Sequence, residues 1–194
     1  MATPTEIIRF WVDETGPEGW YNGSDALDST IRSRFLEDWQ AAQAGQLTDW
    51  QVSAKGTLAF LILTDQFPRN MFRGDARSFA TDEAALTCAD AAIRAGLDLQ
   101  IDLPTRQFFY MPFMHSERLS DQDRCIALMQ DRMSDPRGAG DTLHARVHRE
   151  IIRMFGRFPY RNDALGRDSS SAETAFIKDG GYASIRDAMQ KGDV

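Results

Sequence analysis

Lysine is nearly missing from this 194-residue chain, with three lysines against nineteen arginines. Cysteine is as scarce. Its two copies, Cys88 and Cys125, form no Cys-x-x-Cys or metal-ligand spacing, so two reduced, buried thiols are expected. Long apolar runs are absent too. The longest, Leu58-Ala59-Phe60-Leu61-Ile62-Leu63, has six residues, whereas a spanning helix needs about 20, so no membrane partner is expected. The opening Met1-Ala2-Thr3-Pro4-Thr5-Glu6 carries neither a basic nor an apolar leader pattern, which points to a cytoplasmic protein. A net charge of −7 argues against nucleic acid as a partner. No Walker or Rossmann glycine pattern and no G-x-S-x-G elbow occurs, and no cofactor is expected.

What is present is ordinary globular composition, 42% apolar and 26% charged, at a length of about one domain. Residues 1–194 are therefore read as one helical-repeat-like domain with an irregular tail from about 180. Charge is uneven: residues 1–64 carry a net −5 and residues 121–164 a net +1. The arginine excess fits a GC-rich genome, and it also fits bidentate recognition of anions, which lysine cannot match.

Helix signals run the length of the chain. Thr3-Pro4-Thr5-Glu6 is a capping box with proline in the first turn. Gly16 to Gly23 reads as a loop. Ser24 or Asp25 caps a helix with Leu27, Ile31, Phe35 and Trp39 on one face, ended by Gly45. A third helix, apolar nearly all round, runs from about Ser53 to Phe67, where Pro68 should stop it. Thr81-Asp82-Glu83 opens a fourth, ending at Gly96. A fifth spans about Thr105–Tyr110 and breaks at Pro112. Ser120-Asp121-Gln122-Asp123 caps a sixth, to about Met133, and 135–140 reads as a second loop. Asp141 caps a seventh, to about Phe155. Ser170-Ser171-Ala172-Glu173 is a second capping box, opening an eighth that Gly180-Gly181 closes before a short tail helix. No sustained β-type alternation appears. The expected fold is all-α, about eight helices in antiparallel hairpins stacked as a tetratricopeptide-like right-handed array.

Three helix ends concentrate polar residues: Asp65-Gln66-Phe67-Pro68-Arg69-Asn70 with Arg73; Phe109 to Glu117; and Phe155 to Asn162. They echo one another, as helical repeats do. In an antiparallel stack they end the third, fifth and seventh helices, which would place all three at one pole. Asp65 continues a buried face and needs charged or hydrogen-bonded partners, for which Arg69, Arg157 and Arg161 are the natural candidates. At about 100° per residue, His144, His148, Ile151 and Phe155 share one face, flanked by Val147 and Met154, while Arg146, Arg149 and Arg153 point the other way. The His-x-x-x-His spacing suits a metal but lacks the glutamate of the zinc-protease motif, so no metal is expected.

The first reading is a polar pocket for a small anionic molecule. Asp65, Gln66, Arg69, Asn70, Arg73, Arg157, Arg161 and Asn162 would bind or orient it, and His115, Glu117 and His148 would be the acid/base groups if chemistry occurs. Among the surrounding aromatics Trp11, Phe67, Phe72, Phe79, Phe108, Phe109, Tyr110, Phe113 and Phe158, one or two would wall it. The alternative is a protein- or peptide-interaction module in which these motifs are caps and ion pairs only. The residues name no reaction.

Phe10-Trp11, Asp65 to Asn70, Phe72-Arg73-Gly74, Phe109-Tyr110-Met111-Pro112, His115-Ser116-Glu117 and His148 through Asn162, in this order, resemble an uncharacterised bacterial domain-of-unknown-function family, number 924. The likeness covers about residues 7–176. It implies an all-helical fold similar to tetratricopeptide-like repeats, and it implies no activity. Thr64 stands where the family usually has leucine, and His144 lies outside the pattern.

Overall fold

The computed structural model describes residues 1–133 and 139–192. Among them there is no strand, and the protein is all-α. The helices are α1 (Pro4–Ile8), α2 (Gly16–Tyr21), α3 (Asp25–Gln43), α4 (Ala54–Leu61), α5 (Phe67–Met71), α6 (Asp82–Arg94), α7 (Met111–His115), α8 (Leu119–Arg132), α9 (Ala139–Phe155), α10 (Ser171–Lys178) and α11 (Gly181–Lys191). Two π-helical stretches, Arg9–Thr15 and Ile62–Gln66, join α1 to α2 and α4 to α5. The chain divides into two compact units, the first Met1–Pro112 and the second from Phe113 onward.

Several starts follow the sequence signals. The Thr3 and Ser170 capping boxes both close, with Glu6 and Glu173 reaching back to the cap. Ser24 and Ser53 accept from the backbone N–H of Leu27 and Gly56. Each such cap contributes about 1 kcal/mol. On α3, Ile31, Phe35 and Trp39 are buried as their spacing requires.

Pro68 does not stop its helix. A proline removes one i→i−4 bond and crowds the preceding turn. Here the turn before it widens, with the Phe67 N–H donating to the Ile62 carbonyl five residues back, and the helix resumes to Met71. The Thr64 carbonyl, which residue 68 would normally bond, accepts instead from the Thr81 hydroxyl at 2.6 Å. Trp39 Nε1 donates to that same hydroxyl at 3.1 Å. Thr81 thus spends its side chain on a neighbour rather than capping α6.

Other expectations change for related reasons. The stretch expected as a loop from Gly16 folds as α2, because Pro17 sits in a first turn, where no N–H is needed. Gly16, at φ 67°, supplies the break before it, and Trp20 Nε1 fastens it to the Trp11 carbonyl at 2.7 Å. Pro112 likewise lies in the first turn of α7 rather than ending a helix. Helix α8 begins at Leu119, so Ser120 lies inside it and caps nothing. The loop expected at 135–140 lies outside the described residues at 135–138, and its last two residues belong to α9, which starts before Asp141. The short tail helix expected after Gly180-Gly181 is present over Gly181–Lys191, so the tail from about 180 is less irregular than the domain reading had it.

In the first unit, Phe67 is the hub of the aromatic core. It stacks on Phe35 at 4.9 Å and meets Phe10 and Trp11 edge-on at 5.9 and 5.5 Å. In the second unit, Val147, Ile151 and Ile152 of α9 pack with Phe158, Phe176, Tyr182, Ile185 and Met189. Cys88 and Cys125 are both buried thiols, and burial pushes each up to about 12. No described helix is long and apolar enough to cross a membrane.

Candidate functional site

The first unit holds Asp65, Gln66, Arg69, Asn70 and Arg73. Asp65 is 1% exposed. Its carboxylate lies 3.4 Å from Arg69 Nη1 and accepts from Gln66 Nε2 at 2.5 Å. The Arg69 guanidinium also grips Asp82 through two 3.0 Å bonds and donates to the Asp65 carbonyl at 2.5 Å. Asp28 of α3 holds both Asn70, at 2.8 Å, and Arg73, at 2.9 and 3.1 Å. Asp28 and Asp82 are the partners the sequence did not reveal as such. Both stand in the first turn of a helix, where a carboxylate is favoured by the helix dipole.

The second helix-end motif crosses the boundary between the units. Tyr110, in the first, donates its hydroxyl to the buried Asp98 at 2.7 Å. His115 and Glu117, in the second, meet the third motif. Both Glu117 oxygens are occupied: Oε1 accepts from the Phe158 N–H at 2.9 Å and from Arg167 Nη2 at 3.0 Å, and Oε2 from Arg167 Nη1 at 2.7 Å. Its carboxyl is held below the usual range by Arg167 and the Phe158 N–H, against the opposing effect of burial. Arg167 also donates to Asn162 Oδ1 at 3.0 Å, while Asn162 Nδ2 reaches Ser169 at 3.0 Å. Arg167, in the polar stretch after the motif, is a residue that sequence reasoning missed. Arg157 forks onto Glu173 at 2.6 and 2.8 Å. Ser116 donates to Asp121 at 2.6 Å.

His148, His115 and Arg161 form the other half of this group. The His148 and His115 ring centroids are 6.3 Å apart. Arg161, 6% exposed, donates from Nη2 to the His115 carbonyl at 3.0 Å. Its guanidinium lies 4.4 Å from the Phe158 ring centre, and the His148 ring stands edge-on to that same ring at 5.5 Å. His148 Nδ1 faces the His144 carbonyl at 2.8 Å. A carbonyl only accepts, so Nδ1 carries the proton and Nε2 of the neutral ring is left as the acceptor. Tyr182 meets His148 at 5.2 Å and hydrogen-bonds His144 through its hydroxyl. Burial, and then the neighbouring His115, hold the His148 imidazolium down at about 3, so the ring is neutral at ordinary pH. His115, His148 and Tyr182 each remain partly exposed.

As expected, Arg146 and Arg153 face away and are exposed; Arg149 pairs with Asp123. Met154, expected beside the apolar face, is exposed.

These features define an all-helical protein with helix ends closed by arginine–carboxylate forks and a histidine–arginine group in its second unit. The chain belongs to the family described as bacterial protein of unknown function (DUF924), matched over residues 7–181. It is similar to a solved protein of unknown function from Agrobacterium tumefaciens, 39% identical over 91% of this chain and 97% of that one, with a TM-score of 0.84. No curated protein matches it.

Proposed function

We propose that the second unit binds a small anion at His115, His148 and Arg161. The observation that carries this reading is the meeting of the partly exposed His148 ring with the nearly buried Arg161 guanidinium on Phe158, with the partly exposed His115 ring 6.3 Å from that of His148. A nearly buried arginine beside partly exposed rings sets a positive potential that an anion in contact with the rings would offset. In this reading His148 Nε2 accepts a proton as the anion arrives, because a negative neighbour favours the imidazolium. Glu117, Arg167, Asn162 and Arg157 are positioning residues, which fix the Phe158–Asn162 turn. Asp65, Gln66, Arg69, Asn70 and Arg73 serve the first unit, where their carboxylate partners hold the α5 end. The tetratricopeptide-like stacking stays with this proposal; the packing of α8 on α9 and of α9 on α11 is the neighbour-to-neighbour kind from which such arrays are built.

The test is a thermal-shift screen of phosphate- and carboxylate-bearing metabolites on wild type, Arg161→Gln and His148→Gln. At least one compound should raise the wild-type melting temperature by several degrees, more strongly at lower pH, and leave both variants unmoved. If no compound in a broad set stabilises the wild type, the reading is wrong.

A further inference from the structure

A cleft of about 430 Å³ opens in the first unit between α3 and the segment that follows α5. One wall is a single face of α3: Arg32, Leu36, Gln40 and Gln43, spaced by four, four and three residues. The floor and the opposite wall are Trp39, Phe72 and Arg77, with the Trp39 and Phe72 ring centres 4.7 Å apart.

Its lining differs in charge from two other open clefts of this unit. The cleft beside α1 mixes Arg9 and Lys55 with Asp13 and Asp102, and the one beside Met1 mixes Arg32 and Arg34 with Glu37 and Asp38. Here, among the described residues, the ionisable side chains of the lining are Arg32 and Arg77, and no carboxylate lines the space.

The two arginines are prepared differently. Arg77 is held in place: Asp75 takes its Nε at 3.0 Å and its Nη2 at 2.8 Å, and its guanidinium lies 4.6 Å from the Phe72 ring centre. A guanidinium laid against an aromatic ring presents a flat platform on which a second planar group can stack. Arg32 is exposed, and it meets no carboxylate among the described residues. Its only described partner is the same Phe72 ring, at 6.0 Å. Its fork is therefore available for bidentate contact with a carboxylate or phosphate. The side-chain amides of Gln40 and Gln43 make no hydrogen bond among the described residues, so each offers a donor and an acceptor at the rim. The volume exceeds what a bare inorganic ion fills and lies within the range of small-molecule sites, roughly 300–1,000 Å³.

We infer that this cleft is a second binding site, for a small anion with a planar apolar body. The charged group pairs with Arg32, the planar part rests on the Arg77–Phe72 platform, and polar substituents meet Gln40 and Gln43. The site is independent of the histidine–arginine group in the second unit.

Isothermal titration with phenyl phosphate, benzoate and inorganic phosphate tests it on the full chain. Phenyl phosphate or benzoate should bind saturably, inorganic phosphate about fivefold or more weaker, and Arg32→Gln should weaken the aromatic anion by about tenfold. Arg77→Gln should erase the preference for the aromatic anion over phosphate. Arg32 is exposed, so its replacement leaves the fold intact, which circular dichroism verifies. Binding should be unchanged in His148→Gln, which separates this site from the one in the second unit. No saturation by any probe up to about 10 mM, equal affinities for phosphate and phenyl phosphate, an unaltered Arg32→Gln, or loss of binding in His148→Gln would each overturn the assignment.

Discussion

The Thr81 hydroxyl donates to the Thr64 carbonyl at 2.6 Å, the backbone acceptor left without its helical donor by Pro68 four residues later. One side chain from the start of α6 thereby lets α4 and α5 pass through a proline without a stranded carbonyl.

Replacing Thr81 with valine keeps the shape and removes the hydroxyl. It strands the Thr64 carbonyl and takes the partner of Trp39 Nε1 as well. A loss of about 2–3 kcal/mol in unfolding free energy is expected from urea denaturation. A change below about 0.5 kcal/mol would mean that the helix satisfies this carbonyl another way.

Asp65 is buried against Arg69, with Gln66 on its other oxygen. Asp65→Asn leaves the volume unchanged and removes the charge that the arginine faces. Breaking a buried pair from one side costs roughly 3–5 kcal/mol, although Asp82 retains part of the arginine's compensation and places the expected value at the lower end. Equilibrium unfolding measures this directly.

His148 gives the protein a stability that depends on pH. Its imidazolium is held at about 3 in the folded chain, against an ordinary 6.5. Between these values the unfolded chain binds the proton and the folded chain does not, so stability rises with pH in this window and is lost as pH falls through it. His115, Arg161 and His144 face the ring and oppose its protonation. The slope from this one residue is at most about 1.4 kcal/mol per pH unit. Urea midpoints from pH 7 to pH 4.5 should drop more steeply in wild type than in His148→Gln, and parallel curves would rule the effect out.

The sequence spoke clearly where a local rule was at work. Periodicity placed Ile31, Phe35 and Trp39 inside and turned Arg146 and Arg153 outward, and the Thr3 and Ser170 boxes marked true helix starts. The burial of Asp65 followed from its angle on an apolar helix. Its environment did not, because Asp82 reaches Arg69 from the next helix, as Arg167 reaches Glu117 across 50 residues. Arg167 sits in a polar, aperiodic stretch that reads as solvated surface. The prolines misled for a different reason. Pro17 and Pro112 occupy first-turn positions, where proline is harmless, whereas Pro68 is accommodated by the widened turn before it and by the Thr81 hydroxyl, and only the surrounding hydrogen bonds distinguish such positions from a helix stop. For Pro68 a local clue existed: Phe67 and Met71 keep the apolar i, i+4 rhythm across it.

Glu173 closes the cap of α10 and also receives the fork of Arg157. A chain cut short before this residue would forfeit more than one terminal helix, since the turn leading out of α9 would lose its counter-charge in the same stroke. The far end of the family-matched region is thus a clasp rather than an appendage.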